Sequence, residues 1–144
     1  TNFSLYRYAE VLLIYAEALN EYDPGNPQIA WAANQVRERA GLPGVDQLTG
    51  NQVAMREKIR EERRHEFVAE HKRYFDILRW KTAEKVLNEP GYGINKDEKA
   101  PIGDYSVEQF LGQNRTFDVS KHYLWPIPQS ARDKNPNLGQ NPNW

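Results

Sequence analysis

Between Leu5 and Tyr22, apolar residues recur at steps of three and four: Leu5, Tyr8, Leu12, Tyr15, Leu19 and Tyr22. That spacing lines them along one face of an α-helix. A strand would need them at every second residue. Ala9 and Ala16 lie beside the stripe, and their small size lets another helix approach closely. The pattern predicts a helix over about 4–22 with Tyr8 and Tyr15 in its core. The run Asp23-Pro24-Gly25-Asn26-Pro27 stops it with turn residues.

A second helix is predicted over about 27–40. Pro27 suits its first turn, and Ile29, Ala33, Val36 and Ala40 form its apolar face. Gly41-Leu42-Pro43-Gly44 ends it with a glycine stop and a following proline. The expected product is an antiparallel hairpin over 4–41. It is similar to one tetratricopeptide-type unit, although the full repeat signature and a second copy are missing. A lone hairpin leaves its faces uncovered, so other helices must pack on it. A long helical segment over 51–88, with or without a bend, is the expected neighbour. Met55, Ile59, Glu62, Glu66 and Phe67 mark its first part, and Phe75, Leu78 and Val86 its second.

From 90 to 116 the helical pattern fails. A long loop is expected there, with room for a short helix near Val107–Leu111. The tail over 117–144 is extended and coil-rich, because Pro126 and Pro128 hold it open and Pro136 and Pro142 deny it a helix. Trp125 is expected to plug the helices. The fold class is therefore mainly α, in a single domain over 1–144.

Charge excludes some functions. The chain has 19 basic and 20 acidic residues, so no net field favours nucleic acid. Cysteine is absent, which removes disulfides and thiolate metal sites. No run of 18 apolar residues offers a bilayer span. The first residues do not form a signal peptide, so the chain reads as a piece of a longer protein.

No catalytic group stands out. His65 and His71 are six residues apart, about 240° around a helix, whereas a zinc helix needs two histidines four apart. No metal or cofactor is expected. Acids and bases at Arg63 and Glu66, Glu70 and Arg73, and Asp76 and Arg79 stand three apart. Because Glu62 and Glu66 occupy the apolar stripe, they and Arg63 are expected in a partly buried structural network rather than in acid–base work. A glycosidase needs two carboxylates across a cleft, which one helix surface does not offer. Aromatic rings are the other candidates, because a sugar's C–H face stacks on them. Trp80 is expected to pack in the core. Trp31 flanks the apolar face of its helix, and Tyr92 and Tyr105 sit in the loop beside Asn95, Asp97 and Asp104. These three are the expected glycan contacts.

Three blocks carry a resemblance. Arg7-Tyr8-Ala9-Glu10 through Asn20 is followed by Asn34-Gln35-Val36-Arg37-Glu38-Arg39-Ala40-Gly41-Leu42. Ile59-Arg60-Glu61-Glu62-Arg63-Arg64-His65-Glu66-Phe67 precedes Arg73-Tyr74-Phe75-Asp76-Ile77-Leu78-Arg79-Trp80. Tyr123-Leu124-Trp125-Pro126-Ile127-Pro128 leads to Asn135-Pro136-Asn137-Leu138. In this order they resemble the C-terminal region of the SusD/RagB family. The resemblance implies a helical, tetratricopeptide-like core in a protein several times longer. It implies a non-catalytic outer-membrane lipoprotein that binds oligosaccharide or another nutrient for a SusC-like, TonB-dependent transporter. Its membrane contact would be an N-terminal lipid anchor absent from this chain. The family usually has Glu-Gly where this chain has Glu70-His71, so either continuous helix or a strained His71 is expected. The rival function is a tetratricopeptide-type module that binds another protein.

Overall fold

A computed structural model describes residues 6–95, 106–109 and 115–144 of the chain. Six helices lie among the described residues: α1 Tyr8–Tyr22, α2 Gln28–Arg39, α3 Gln52–Glu66, α4 Arg73–Arg79, α5 Ala83–Leu87 and α6 Gln129–Lys134. A short 3-10 turn, Asp46–Leu48, precedes α3. The mainly helical fold agrees with the sequence reading. The chain divides into two compact units, 1–73 and 74–144.

In the first unit α1, α2 and α3 form a bundle whose directions follow from its side-chain contacts. Asn20, near the end of α1, donates to the carbonyl of Gln52 at the start of α3. Arg7, at the start of α1, reaches Glu66 at the end of α3. Those two helices are therefore antiparallel. Arg39, at the end of α2, meets the same Glu66, so α2 runs antiparallel to α1.

The core between the helices is aliphatic and small. Leu12, Leu13, Ala16, Ile29, Ala32, Ala33, Val36, Met55, Ile59 and Phe67 are buried together. Helices lined by alanine approach closely, and large rings do not fit between them. This overturns the expected core roles of Tyr8 and Tyr15. They are 70% and 43% exposed, while Leu12, Leu13 and Ala16 of the same helix are buried.

α2 ends as its glycine foretells. Gly41 adopts φ 72°. Its N–H donates to Glu38 O and the next N–H, of Leu42, to Arg37 O, both at 2.9 Å. This paired arrangement satisfies the last carbonyls of the helix.

The long segment after residue 51 is broken rather than continuous. α3 stops at Glu66, and Ala69 and His71 take φ 63° and 59°. Of the two outcomes expected at His71, the strained residue is the one observed. A second break separates α4 from α5. Lys81 N donates to Leu78 O and Thr82 N to Ile77 O, with Lys81 itself at φ 53°. The geometry repeats the end of α2, but lysine occupies the position that glycine usually takes.

The expected loop contains a β-hairpin. β1 Tyr92–Asn95 pairs antiparallel with β2 Ser106–Gln109, in the register Tyr92 with Gln109 and Asn95 with Ser106. Residues 107–109 are therefore strand rather than the start of a short helix. The remainder of that expected helix lies outside the described residues.

The second unit has a smaller core of Ile77, Ala83 and Phe117, bordered by Leu78, Val86, Leu87 and Tyr123. The tail packs within this unit. Its prolines donate no backbone hydrogen bond, and side-chain amides replace the missing ladder. Asn88 accepts from Phe117 N at 2.6 Å and donates to Phe117 O at 3.1 Å. Gln140 does the same for Ile127, at 2.8 and 3.1 Å. Asn141 donates to Trp125 O and Asn143 to Ser120 O. Trp125 is not a plug. It is 61% exposed and tilted against Tyr74, with ring centres 6.4 Å apart. Pro126 and Pro128 are likewise exposed.

Candidate functional site

The charged residues of the first unit form a structural seam. Arg37 and Glu62, both buried, pair at 2.5 Å, and Arg37 Nε also donates to Pro43 O. Arg7 forks onto Glu70 at 2.7 and 3.0 Å and reaches Glu66 at 2.8 Å. These hydrogen bonds, to Glu70 first and Glu66 second, hold the Arg7 guanidinium far above its ordinary range. Arg63 approaches Glu17 at 3.9 Å and stacks on Phe67, whose ring also receives Arg7. Each carboxylate named here is committed to a guanidinium, so the seam offers no free acid–base pair. Among the described residues, no cluster of three or more histidine, cysteine or acidic side chains is disposed to hold a metal.

The sequence-chosen aromatics that are described fall in different units. Trp31 lies on α2 in the first unit and is 45% exposed. Tyr92 starts β1 in the second unit and is 61% exposed. Tyr105 lies outside the described residues. Trp80 is partly buried, with the Arg79 guanidinium 4.9 Å from its ring centre. Arg79 also pairs with buried Asp76 at 2.9 Å, the spacing read from sequence.

What the second unit does form is a concavity of about 490 Å³. The α4–α5 turn supplies Lys81, and the first turn of α5 supplies Glu84. The stretch after Phe117 supplies Val119, Ser120, Lys121, Tyr123 and Leu124, and Pro142 closes one side.

Its walls are fixed by specific contacts. Phe117 meets Tyr123 edge-on, with ring centres 4.8 Å apart at 74°. The Tyr123 hydroxyl donates to the Glu84 carboxylate. That bond keeps Glu84 below the usual carboxylate range, while desolvation, and then Glu84 itself, raises the Tyr123 phenol. Asp118 accepts from the Ser120 hydroxyl and backbone, which keeps its carboxyl low. Trp144 folds back, and its indole N–H is shared between Lys121 O at 3.2 Å and Leu124 O at 2.8 Å. The Lys81 ammonium lies 4.0 Å from the Tyr123 ring centre and that of Lys121 lies 4.2 Å from the Trp144 ring centre.

Sequence reasoning missed Lys81, Glu84 and Lys121, because nothing in a spacing rule links a helix stop to a coil 40 residues away. The hint was local. The run Trp80-Lys81-Thr82 breaks the helix without a glycine.

The comparisons agree with one another. The family model described as "SusD family" matches residues 1–144. "SusD-like protein P2" of Formosa agariphila is 35% identical over 98% of this chain and 25% of its own length. "SusD-like protein P38" of the same organism is 38% identical over 67% of this chain. A solved structure described as a SusD-like carbohydrate binding protein, from Bacteroides fragilis, is 38% identical. It superposes with a TM-score of 0.75 over 94% of this chain and 28% of its own. The chain thus spans about a quarter of the length of the relatives it matches.

Proposed function

The chain belongs to the SusD family, and on that premise we propose that it is part of a non-catalytic glycan-binding protein of the cell surface. The observation that carries this reading is the family match along all 144 residues. The Bacteroides fragilis relative, itself described as carbohydrate-binding, supports the ligand class. The seam of the first unit also fits a binding protein, because its carboxylates hold helices together.

The finer reading is that the protein passes its ligand to a TonB-dependent, SusC-like transporter and is held at the outer membrane by a lipid anchor. Its support is the family resemblance. No helix among the described residues is long and apolar enough to cross a membrane. Trp31, Tyr92 and Tyr105 remain proposed as ligand contacts.

The test is binding of the full-length protein to a panel of immobilised polysaccharides, with purification from its native membrane. At least one glycan should be retained, and a TonB-dependent barrel should co-purify. A folded protein that retains no glycan of the panel sinks the reading. A glycan-binding protein that purifies without a barrel sinks only the transporter step.

A further inference from the structure

We propose that the concavity between the α4–α5 turn and the C-terminal coil binds an anionic sugar unit, a uronate or a sulfated residue, through Lys81 and Lys121. This deepens the glycan-binding reading and rests on it.

Size and chemistry point the same way. A space of about 490 Å³ falls within the range of small-ligand sites. Val119, Leu124 and Pro142 give it an apolar part of its lining, which suits the C–H face of a ring. Two ammonium groups border it, against one carboxylate, Glu84, which already accepts the Tyr123 hydroxyl. Near it, Lys85 and Lys81 act on Glu84, and His122 and Lys121 act on Asp118. Among the described residues, neither Lys81 nor Lys121 forms an ion pair. Each rests on an aromatic ring, Lys81 on Tyr123 and Lys121 on Trp144. A cation on an exposed ring is weakly held, whereas a carboxylate or sulfate offers a charge-assisted hydrogen bond. An arriving anion therefore draws the ammoniums off the rings and frees the ring faces for the sugar.

The backbone gives a second observation. Lys81 occupies the left-handed position of a helix stop, at φ 53°, where glycine is the relaxed choice. Strain of this kind gathers at ligand-binding positions. Here it directs a long cationic side chain over Tyr123 and the cavity.

The experiment is calorimetric titration of the full-length protein with three probes: tetragalacturonate, a sulfated carrageenan tetrasaccharide and neutral cellotetraose. An acidic probe should bind at least about tenfold more tightly than the neutral one. Its affinity should fall with added salt, and the uronate and sulfate arms identify the anion. Lys81→Gln combined with Lys121→Gln should weaken acidic binding at least about tenfold while the thermal midpoint holds. Acidic binding that is unchanged in the double variant overturns the proposal but leaves the glycan reading standing. So does binding of neutral glycans alone. Failure to bind any probe or any panel polysaccharide removes both.

Should the double variant misfold, the wild-type protein still decides. The Trp144 indole N–H resonance, identified by Trp144→Phe, should shift as the acidic probe saturates. A resonance that stays in place at saturation overturns the proposal.

Discussion

Single residues divide by burial, not by size. Arg37 and Glu62 are each under a tenth exposed and pair at 2.5 Å. Removing one partner strands a buried charge, which costs about 3–5 kcal/mol. Glu62→Ala should lower stability by that amount in urea titration. Arg37→Met with Glu62→Leu should recover most of the loss, because an apolar pair fills the space without a charge to desolvate. A double variant as unstable as the single one would contradict this account. Phe117 and Trp125 make the second contrast, at 6% and 61% exposed. Phe117→Ala should cost about 3–5 kcal/mol, as for a core ring, and Trp125→Ala well under half of that. Equal shifts in thermal midpoint would restore Trp125 as the plug that its sequence context suggested. The Tyr123–Glu84 bond adds a pH dependence. The Glu84 carboxyl is lowered, so its contribution is present above the ordinary carboxylate range and lost as pH falls through its folded value. The Tyr123 phenol is raised, so its contribution is present below the ordinary phenol value of about 10 and lost as pH climbs through its folded value. Tyr123→Phe should remove the most alkaline part of the phenolate absorbance curve. An unaltered upper limb would show that the bond does not persist in solution.

At the scale of elements, the helices were legible because periodicity and stop signals agree. The α1 and α2 boundaries lie within a few residues of those read from the sequence, and the Gly41 stop forms as its type requires. Which stripe of α1 faces inward was not legible. Tyr8, Leu12, Tyr15 and Leu19 share helical spacing, yet Leu12, Leu13 and Ala16 are buried and the tyrosines are not. α1 is apolar around much of its circumference. The alanines of α2 selected the thin side, a property of the partner helix that no pattern within α1 encodes. The hairpin of β1 and β2 escaped for another reason. Four-residue strands, with β2 exposed throughout, carry no alternation between faces. The break after α3 was half-legible, since the missing glycine marked His71 without choosing between its two outcomes. At φ 59° a histidine is strained by about 1–2 kcal/mol. His71→Gly should relieve this and give back part of it as unfolded-chain entropy. A net gain of about 0.5–1 kcal/mol, read as a higher thermal midpoint, is expected. A lower midpoint would mean that the His71 side chain does more for the fold than its exposure indicates.

At the scale of the whole chain, two units of unequal core share one polypeptide. The first holds the three longest helices, of 15, 12 and 15 residues, around a dozen buried apolar side chains. Among its described residues, the second has short helices, of 7, 5 and 6 residues, and three buried apolar residues, and relies on side-chain amides that clamp a proline-rich coil. Apolar burial contributes about 25 cal/mol per Å², whereas a net hydrogen bond contributes only about 1 kcal/mol. The second unit should therefore open at lower denaturant. The aromatic residues supply the means of seeing it. Trp80, Trp125 and Trp144 lie in the second unit and Trp31 alone in the first. Tryptophan emission should shift to the red at a lower urea concentration than the loss of far-ultraviolet helical signal, which comes mostly from the first unit. Trp31→Phe should leave the early fluorescence step intact. Gln140→Ala, which removes both hydrogen bonds to Ile127, should move that step to lower urea while the helical transition stays where it was. Coincident transitions in the wild-type chain, moved together by Gln140→Ala, would mean that the two units unfold as one and that the coil is as deeply built into the fold as the alanine-lined bundle.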